Sequence, residues 1–124
     1  MTNKASLNEK FAAIHEHWRP KVVAQLNGQE VKLVKFCGVF PWHHHENEDE
    51  MFLVQKGRFR MDYRDDGRDR EEWIEEGEFI IVPRGIEHRP VAEEECEVML
   101  FEPASTLNTG NVEDSFTRTE LARI

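Results

Sequence analysis

The chain has 124 residues, enough for one domain around one core and too short for two. Hydrophobic residues make up 39% and charged residues 33%, which argues against disorder, while 16 basic against 25 acidic residues leave a net charge of −9 that disfavours nucleic acid. No run of about 18 apolar residues offers a membrane span, and the first 18 residues lack the apolar core of a signal peptide.

Ser6-Leu7-Asn8-Glu9 reads as a capping box, and Leu7, Phe11, Ile14 and Trp18 follow at helical spacing as one apolar stripe. Pro20 ends that helix, so residues 1–20 are expected to form a helical arm packed on the body, with His15 and His17 on its surface. From Lys21 onward the pattern is that of strands. Asn27-Gly28 is a hairpin-type turn between two β-rich runs. Residues 51–55 are a short apolar run. Residues 58–64 alternate, with Phe59, Met61 and Tyr63 on one face and Arg58, Arg60, Asp62 and Arg64 on the other. Asp65-Asp66-Gly67 is a turn, residues 71–75 return as a strand, and the apolar strand 79–82 is stopped by Pro83. A last strand covers residues 96–101 and ends by Pro103. Short strands punctuated by Gly and Pro predict an all-β sandwich or barrel over residues 21–103. Residues 104–124, rich at first in Ser, Thr, Asn and Gly, are expected to be a loop or wrapping tail. Cys37 and Cys96 form no CxxC and are expected to be buried thiols in a reducing cytoplasm.

The stretch PWHHHENEDEMF packs three histidines and four carboxylates into residues 41–52. On a strand, His43 and His45 point to one face with Cα atoms ~6.6 Å apart, and His44 points to the other. Two imidazoles at that separation converge on one ion. Glu50, five residues on, can return as a carboxylate ligand, giving a two-histidine, one-carboxylate face. The turn through Pro83 and Gly85 aims His88 back as a fourth candidate. The acidic runs at 46–49 and 93–95 read as solvated faces, and Arg58 and Arg60 as a solvated face or as groups aimed at an anionic ligand. Phe36, Phe40 and Trp42 are core or pocket wall.

Gly38, His43, His45, Glu50 and Gly57 resemble the first motif of the cupin superfamily, and Gly77, Pro83, Gly85 and His88 resemble the second. Two departures are visible: the gap from Gly38 to His43 is one residue short of the family pattern, and Ala92 stands where the second motif closes with Asn. The resemblance implies an antiparallel jelly-roll β-barrel with a short N-terminal helix and a metal inside one end. It carries the ligand roles onto His43, His45, Glu50 and His88, and implies a divalent transition metal (Fe, Mn, Ni, Zn or Cu), often in a homodimer. Within the superfamily the chain is similar to small one-domain proteins described as mannose-6-phosphate isomerase-like. Such a site leaves coordination positions for water, substrate or dioxygen. The expected function is a metal-dependent enzyme acting on a small polar, sugar- or carboxylic-acid-like molecule, by isomerase, epimerase or dioxygenase chemistry. The alternatives are a non-catalytic module that binds or senses a small ligand, and a purely structural barrel. Neither nucleic acid nor membrane is an expected partner.

Overall fold

The computed structural model describes residues 3–124. One helix, α1 (Leu7–Ala12), precedes seven strands: β1 (Lys21–Leu26), β2 (Gln29–Val39), β3 (Glu50–Lys56), β4 (Phe59–Asp65), β5 (Arg68–Ile74), β6 (Phe79–Val82) and β7 (His88–Pro103). Every strand pairing among them is antiparallel. Two tight hairpins have both turn residues at positive φ, Asn27 with Gly28 and Asp66 with Gly67. That backbone matches the twist of the flanking strands and suits Asn-Gly and Asp-Gly. Among the described residues, no helix is long and apolar enough to cross a membrane.

The architecture turns on β2 and β7, which run side by side from Gln29–Pro103 to Val39–Val91. On its other flank, the C-terminal half of β7 pairs with β3 and the N-terminal half pairs with β4. The two long strands therefore belong to both sheets, β1-β2-β7-β3-β6 and β2-β7-β4-β5. A register shift between Phe36 and Gly38 marks the corner, where Glu93, Glu94 and Glu95 face solvent. The sequence pattern placed a separate strand at residues 96–101. In the structure that stretch continues unbroken from His88, because the three glutamates ride the outside of the bend. β5 and β6 are free edges, so the jelly roll is open along one seam.

Alternation fills the space between the sheets. Val34 and Phe36 of β2, Phe52 and Val54 of β3, Phe59 and Met61 of β4, and Val98 and Leu100 of β7 are all buried. Phe36 meets Phe59 edge-on at 5.2 Å. β6 presents its other face outward, leaving Phe79 57% and Ile81 54% exposed.

The N-terminal arm departs from expectation. Ser6 caps α1 by accepting from Glu9 N, but the helix stops at Ala12 rather than at Pro20. Phe11 and Ile14 pack with Leu33 on the outside of the first sheet. Trp18, at φ +61, leaves the helical path and enters the main core between Phe36 and Phe40, at 4.5 and 4.9 Å. A continuous helix would hold Trp18 over the same surface as Ile14. Hydrogen bonds to β2 hold the departure instead: Trp18 N to Lys35 O, and Trp18 Nε1 to Cys37 O at 2.7 Å. His15 and His17 are exposed on this irregular segment, not on a helix, and His17 pairs with Glu95 at 2.8 Å.

The tail beyond β7 wraps the barrel. Val22 N donates to Ala122 O and Ile124 N to Val22 O, so the last residues run beside β1. Asn111 bonds His44 twice, accepting its amide at Oδ1 and donating to its carbonyl. Gly110, at φ +56, lies so close that a Cβ there would overlap the His44 carbonyl. Cys37 and Cys96 are free thiols, Cys37 half-buried and Cys96 buried.

Candidate metal centre

The loop 40–49 and the start of β7 bring the histidines together. His43 and His88 exchange both backbone hydrogen bonds, at 3.0 and 2.8 Å, and Gly85 N donates to His45 O at 2.7 Å. The turn that Gly85 permits therefore locks the two motif segments side by side. Glu50 opens β3 with its side chain on the inner face, the face of Phe52 and Val54. His43, His45, Glu50 and His88 are all buried, and one ligand atom from each lies within 4.8 Å of every other. His45 Nε2 and His88 Nε2 approach Glu50 Oε1 at 2.8 and 3.1 Å.

The outer nitrogens fix the tautomers. His43 Nδ1 lies 2.9 Å from Pro41 O and His88 Nδ1 lies 2.8 Å from Ile86 O. A ring that donates Nδ1–H to a carbonyl keeps a lone pair on Nε2, aimed inward. His45 Nε2, Glu50 Oε1 and His88 Nε2 are buried and make no aligned hydrogen bond. Orphans of this kind cost about 1–3 kcal/mol each when left unsatisfied. A divalent cation with N/O preference would satisfy them together, so the donor set fits a metal.

Electrostatics point the same way. Burial and the neighbouring His88 push the His43 pKa down to about 3, leaving the ring neutral and able to ligate. Burial works to raise Glu50, but the close imidazoles of His45 and His88 prevail and hold its carboxyl well below the ordinary range. Behind it, burial and the Glu50 charge hold the Glu102 carboxyl well above that range. The charge on Glu50 thus opposes ionisation of Glu102. Lys32 Nζ then lies 3.2 Å from Glu102, 3.8 Å from Glu30 and 3.4 Å from Thr106 O. A row of charges thus runs from the centre, along the inner face of the first sheet, to Arg123 at the surface beside Glu30.

Glu102, Lys32 and Glu30 escaped the sequence reading, yet alternation held the signal. Counting back from the inward Val34 and Phe36 gives Lys32 and Glu30, and counting on from Val98 and Leu100 gives Glu102. Other candidates lie elsewhere. His44 turns outward to Glu46 at 2.7 Å. Arg58 covers Trp73 and Arg60 pairs with Asp62, both outside the barrel. Trp42 is also outside, beneath Arg64 and Arg89. Phe36 and Phe40 line a cavity of about 30 Å³ beside His43 and Glu50.

Residues 29–102 match the family described as Cupin domain. Over 67 residues the chain is 30% identical to the uncharacterized protein YdbB of Bacillus subtilis (strain 168). That stretch spans 54% of this chain and 57% of the relative, so the match covers little more than half of either. A cupin-2 domain containing protein from Shewanella frigidimarina superposes with a TM-score of 0.75 at 39% identity, over 80% of this chain and 93% of that one. The hydroquinone 1,2-dioxygenase of Sphingomonas sp. TTNP3, solved with 4-hydroxybenzoate bound, superposes with a TM-score of 0.73 over 83% of this chain and 32% of that one. At 18% identity the latter likeness is one of fold.

Proposed function

Because the chain belongs to the cupin domain family, we propose that it is a metal-dependent enzyme with His43, His45, Glu50 and His88 as ligands to a divalent Fe, Mn, Ni or Zn ion. The substrate is a small oxygen-bearing molecule, sugar- or carboxylic-acid-like, and the reaction an isomerisation, epimerisation or dioxygenation. The observation that carries this reading is the set of buried, unsatisfied Nε2 and Oε1 atoms converging on one point. When bound, the ion would supply Lewis acidity or a binding position for dioxygen. The residues do the rest. Pro41 and Ile86 carbonyls hold the rings of His43 and His88, and Phe36, Phe40 and Phe52 line the cavity beside them.

Elemental analysis of untagged protein tests the centre. Wild type is expected to carry near-stoichiometric metal, and His45→Ala and His88→Ala to lose it. Wild type that stays empty after reconstitution with Fe(II), Mn(II) and Zn(II) would overturn the proposal. The tail that closes over the cavity also suits a protein that binds a ligand without turnover; dioxygen uptake and isomerisation assays on loaded protein separate the two readings.

We further propose a homodimer in a reducing cytoplasm. The exposed Phe79 and Ile81 on the free edge strand β6 support the first, and the two free thiols the second. A monomer in sedimentation at micromolar concentration would remove the dimer.

A further inference from the structure

We propose that the groove between the C-terminal tail and strands β1 and β2 binds a phosphate group, free or as a small monoester. The bound group straps the tail to the barrel. None of His43, His45, Glu50 and His88 lines this groove, so it is a site apart from the candidate metal centre.

Charge sets the groove apart. Lys32, Arg118 and Arg123 line it against one carboxylate, Glu30, a surplus of two positive charges in a chain whose net charge is −9. Lys32 is spent locally, its ammonium 3.2 Å from Glu102 and 3.8 Å from Glu30. The surplus therefore belongs to the two arginines. Arg118 is half-buried, and its Nη1 donates to the carbonyls of Ser115 and Thr117, at 3.0 and 2.8 Å. Its amide donates to Asn108 Oδ1 at 2.8 Å. Those bonds fix the guanidinium, yet among the described residues it forms no ion pair with a carboxylate. In a chain with 25 acidic residues, a fixed, half-buried guanidinium without one is a charge held ready for another anion. Arg123 meets Glu30 through Nη2 alone, at 3.4 Å, and its side chain is 66% exposed.

The ligand follows from charge and size. A phosphate monoester carries about −2 at pH 7 and matches the two arginines, where a monocarboxylate would leave one unmatched. Guanidinium forks also suit phosphate oxygens, which they bind in bidentate fashion. Thr119 adds a hydroxyl, while Val22, Leu107 and Leu121 supply apolar lining for a short carbon body. The groove holds about 210 Å³, more than the ~150 Å³ that takes up benzene and less than the ~300 Å³ where drug-sized pockets begin. Barrel and tail each supply part of it. Val22 and Lys32 lie on β1 and β2, Arg118 and Arg123 on the tail, and a parallel bridge joins Val22 to Arg123. An anion held there adds to the bonds that keep the tail in place.

The test titrates inorganic phosphate and propyl phosphate into the full chain by calorimetry at fixed ionic strength, with acetate as the monoanion. Both phosphates are expected to bind, propyl phosphate several-fold more tightly, with acetate silent at the same concentration. Equal affinity for the two phosphates would assign the site to free phosphate. Arg118→Met and Arg123→Met are each expected to weaken phosphate binding on the order of tenfold, and His45→Ala to leave it unchanged. Arg123 is exposed, so its variant decides the matter should Arg118→Met fail to fold. Bound phosphate is expected to slow tryptic cleavage after Arg118 several-fold, and cleavage indifferent to phosphate would remove the strap. Acetate binding as tightly as phosphate, or arginine variants that bind like wild type, would overturn the proposal. So would binding that disappears in His45→Ala and persists in both arginine variants, since the phosphate would then sit at the histidine cluster.

Discussion

Replacing Lys32 by methionine would remove the positive charge that stands between Glu102 and Glu30. Lys32 is 2% exposed, with its ammonium 3.2 and 3.8 Å from the two carboxylates. At an effective dielectric of about 20, each contact is worth roughly 4–5 kcal/mol of gross attraction once its carboxyl is ionised, which for Glu102 needs a higher pH than for an ordinary glutamate. Desolvation of all three groups offsets most of that, so the net value of the arrangement is small, while breaking it is costly. Removing one partner of a buried pair typically destabilises by about 3–5 kcal/mol. Methionine keeps the volume of the side chain, which makes the lost charge the main change. The pH dependence carries the sign. Without Lys32, the Glu102 carboxyl is held still further above the ordinary value of 4.5. In wild type and variant alike the native state holds a proton that the unfolded chain releases above 4.5, and the variant holds it to higher pH, so its deficit grows once pH passes the wild-type value. Urea unfolding of the metal-free protein should therefore show a deficit that widens toward alkaline pH. Adding Glu102→Gln should recover most of the loss, because the amide needs no counter-charge. A Lys32→Met variant within 1 kcal/mol of wild type at pH 7.5, or a double variant no better than the single one, would refute the reasoning.

Metal-free protein should also weaken on the acid side through His43. Its pKa is held at about 3 against an ordinary 6.5, so the unfolded chain takes up the proton first. That contribution is complete above pH 6.5 and is lost as pH falls toward 3, at up to ~1.4 kcal/mol per pH unit; His43→Gln should flatten the urea midpoint over pH 6.5–4 relative to wild type. Gly110→Ala places a methyl into the His44 carbonyl at positive φ, and limited proteolysis should cut the tail at least several-fold faster while the barrel survives. Chelation should lower the melting temperature, and free metal at 100 times its Kd should restore about 2.7 kcal/mol; a thermal scan indifferent to chelator would contradict this.

The convergence of His43, His45, Glu50 and His88 was legible because its information is local. HxH on an extended segment, Glu50 at a strand start and a Gly85 turn before His88 are all fixed by spacing, and the loop backbone then has little freedom in where it aims them. The two hairpin turns were legible for the same reason, since Asn-Gly and Asp-Gly need positive φ. The end of α1 was not. Leu7, Phe11, Ile14 and Trp18 keep a helical period, but that period records burial, and Trp18 is buried by a route only β2 can supply. Nor was the length of β7, where the glutamates at the corner imitate a loop. Lys32 and Glu102 were hidden by an assumption about polarity. Charged residues in alternating strands are read as outward, and here they point inward because they neutralise one another.

The shared strand β7 carries one more implication, for where this chain tolerates a change of length. Its two halves take their registers from different neighbours, His88 to Val91 from β4 and Glu97 to Phe101 from β3. An extra residue inside either half would turn His88 or Glu102 to the opposite face. At Glu93–Glu95, outside the bend, an insertion would be taken up as slack, with both registers kept. Relatives that vary in length across β7 should therefore vary at that corner, and a peptide tag or a reporter loop placed there should leave the His43–His45–Glu50–His88 cluster untouched.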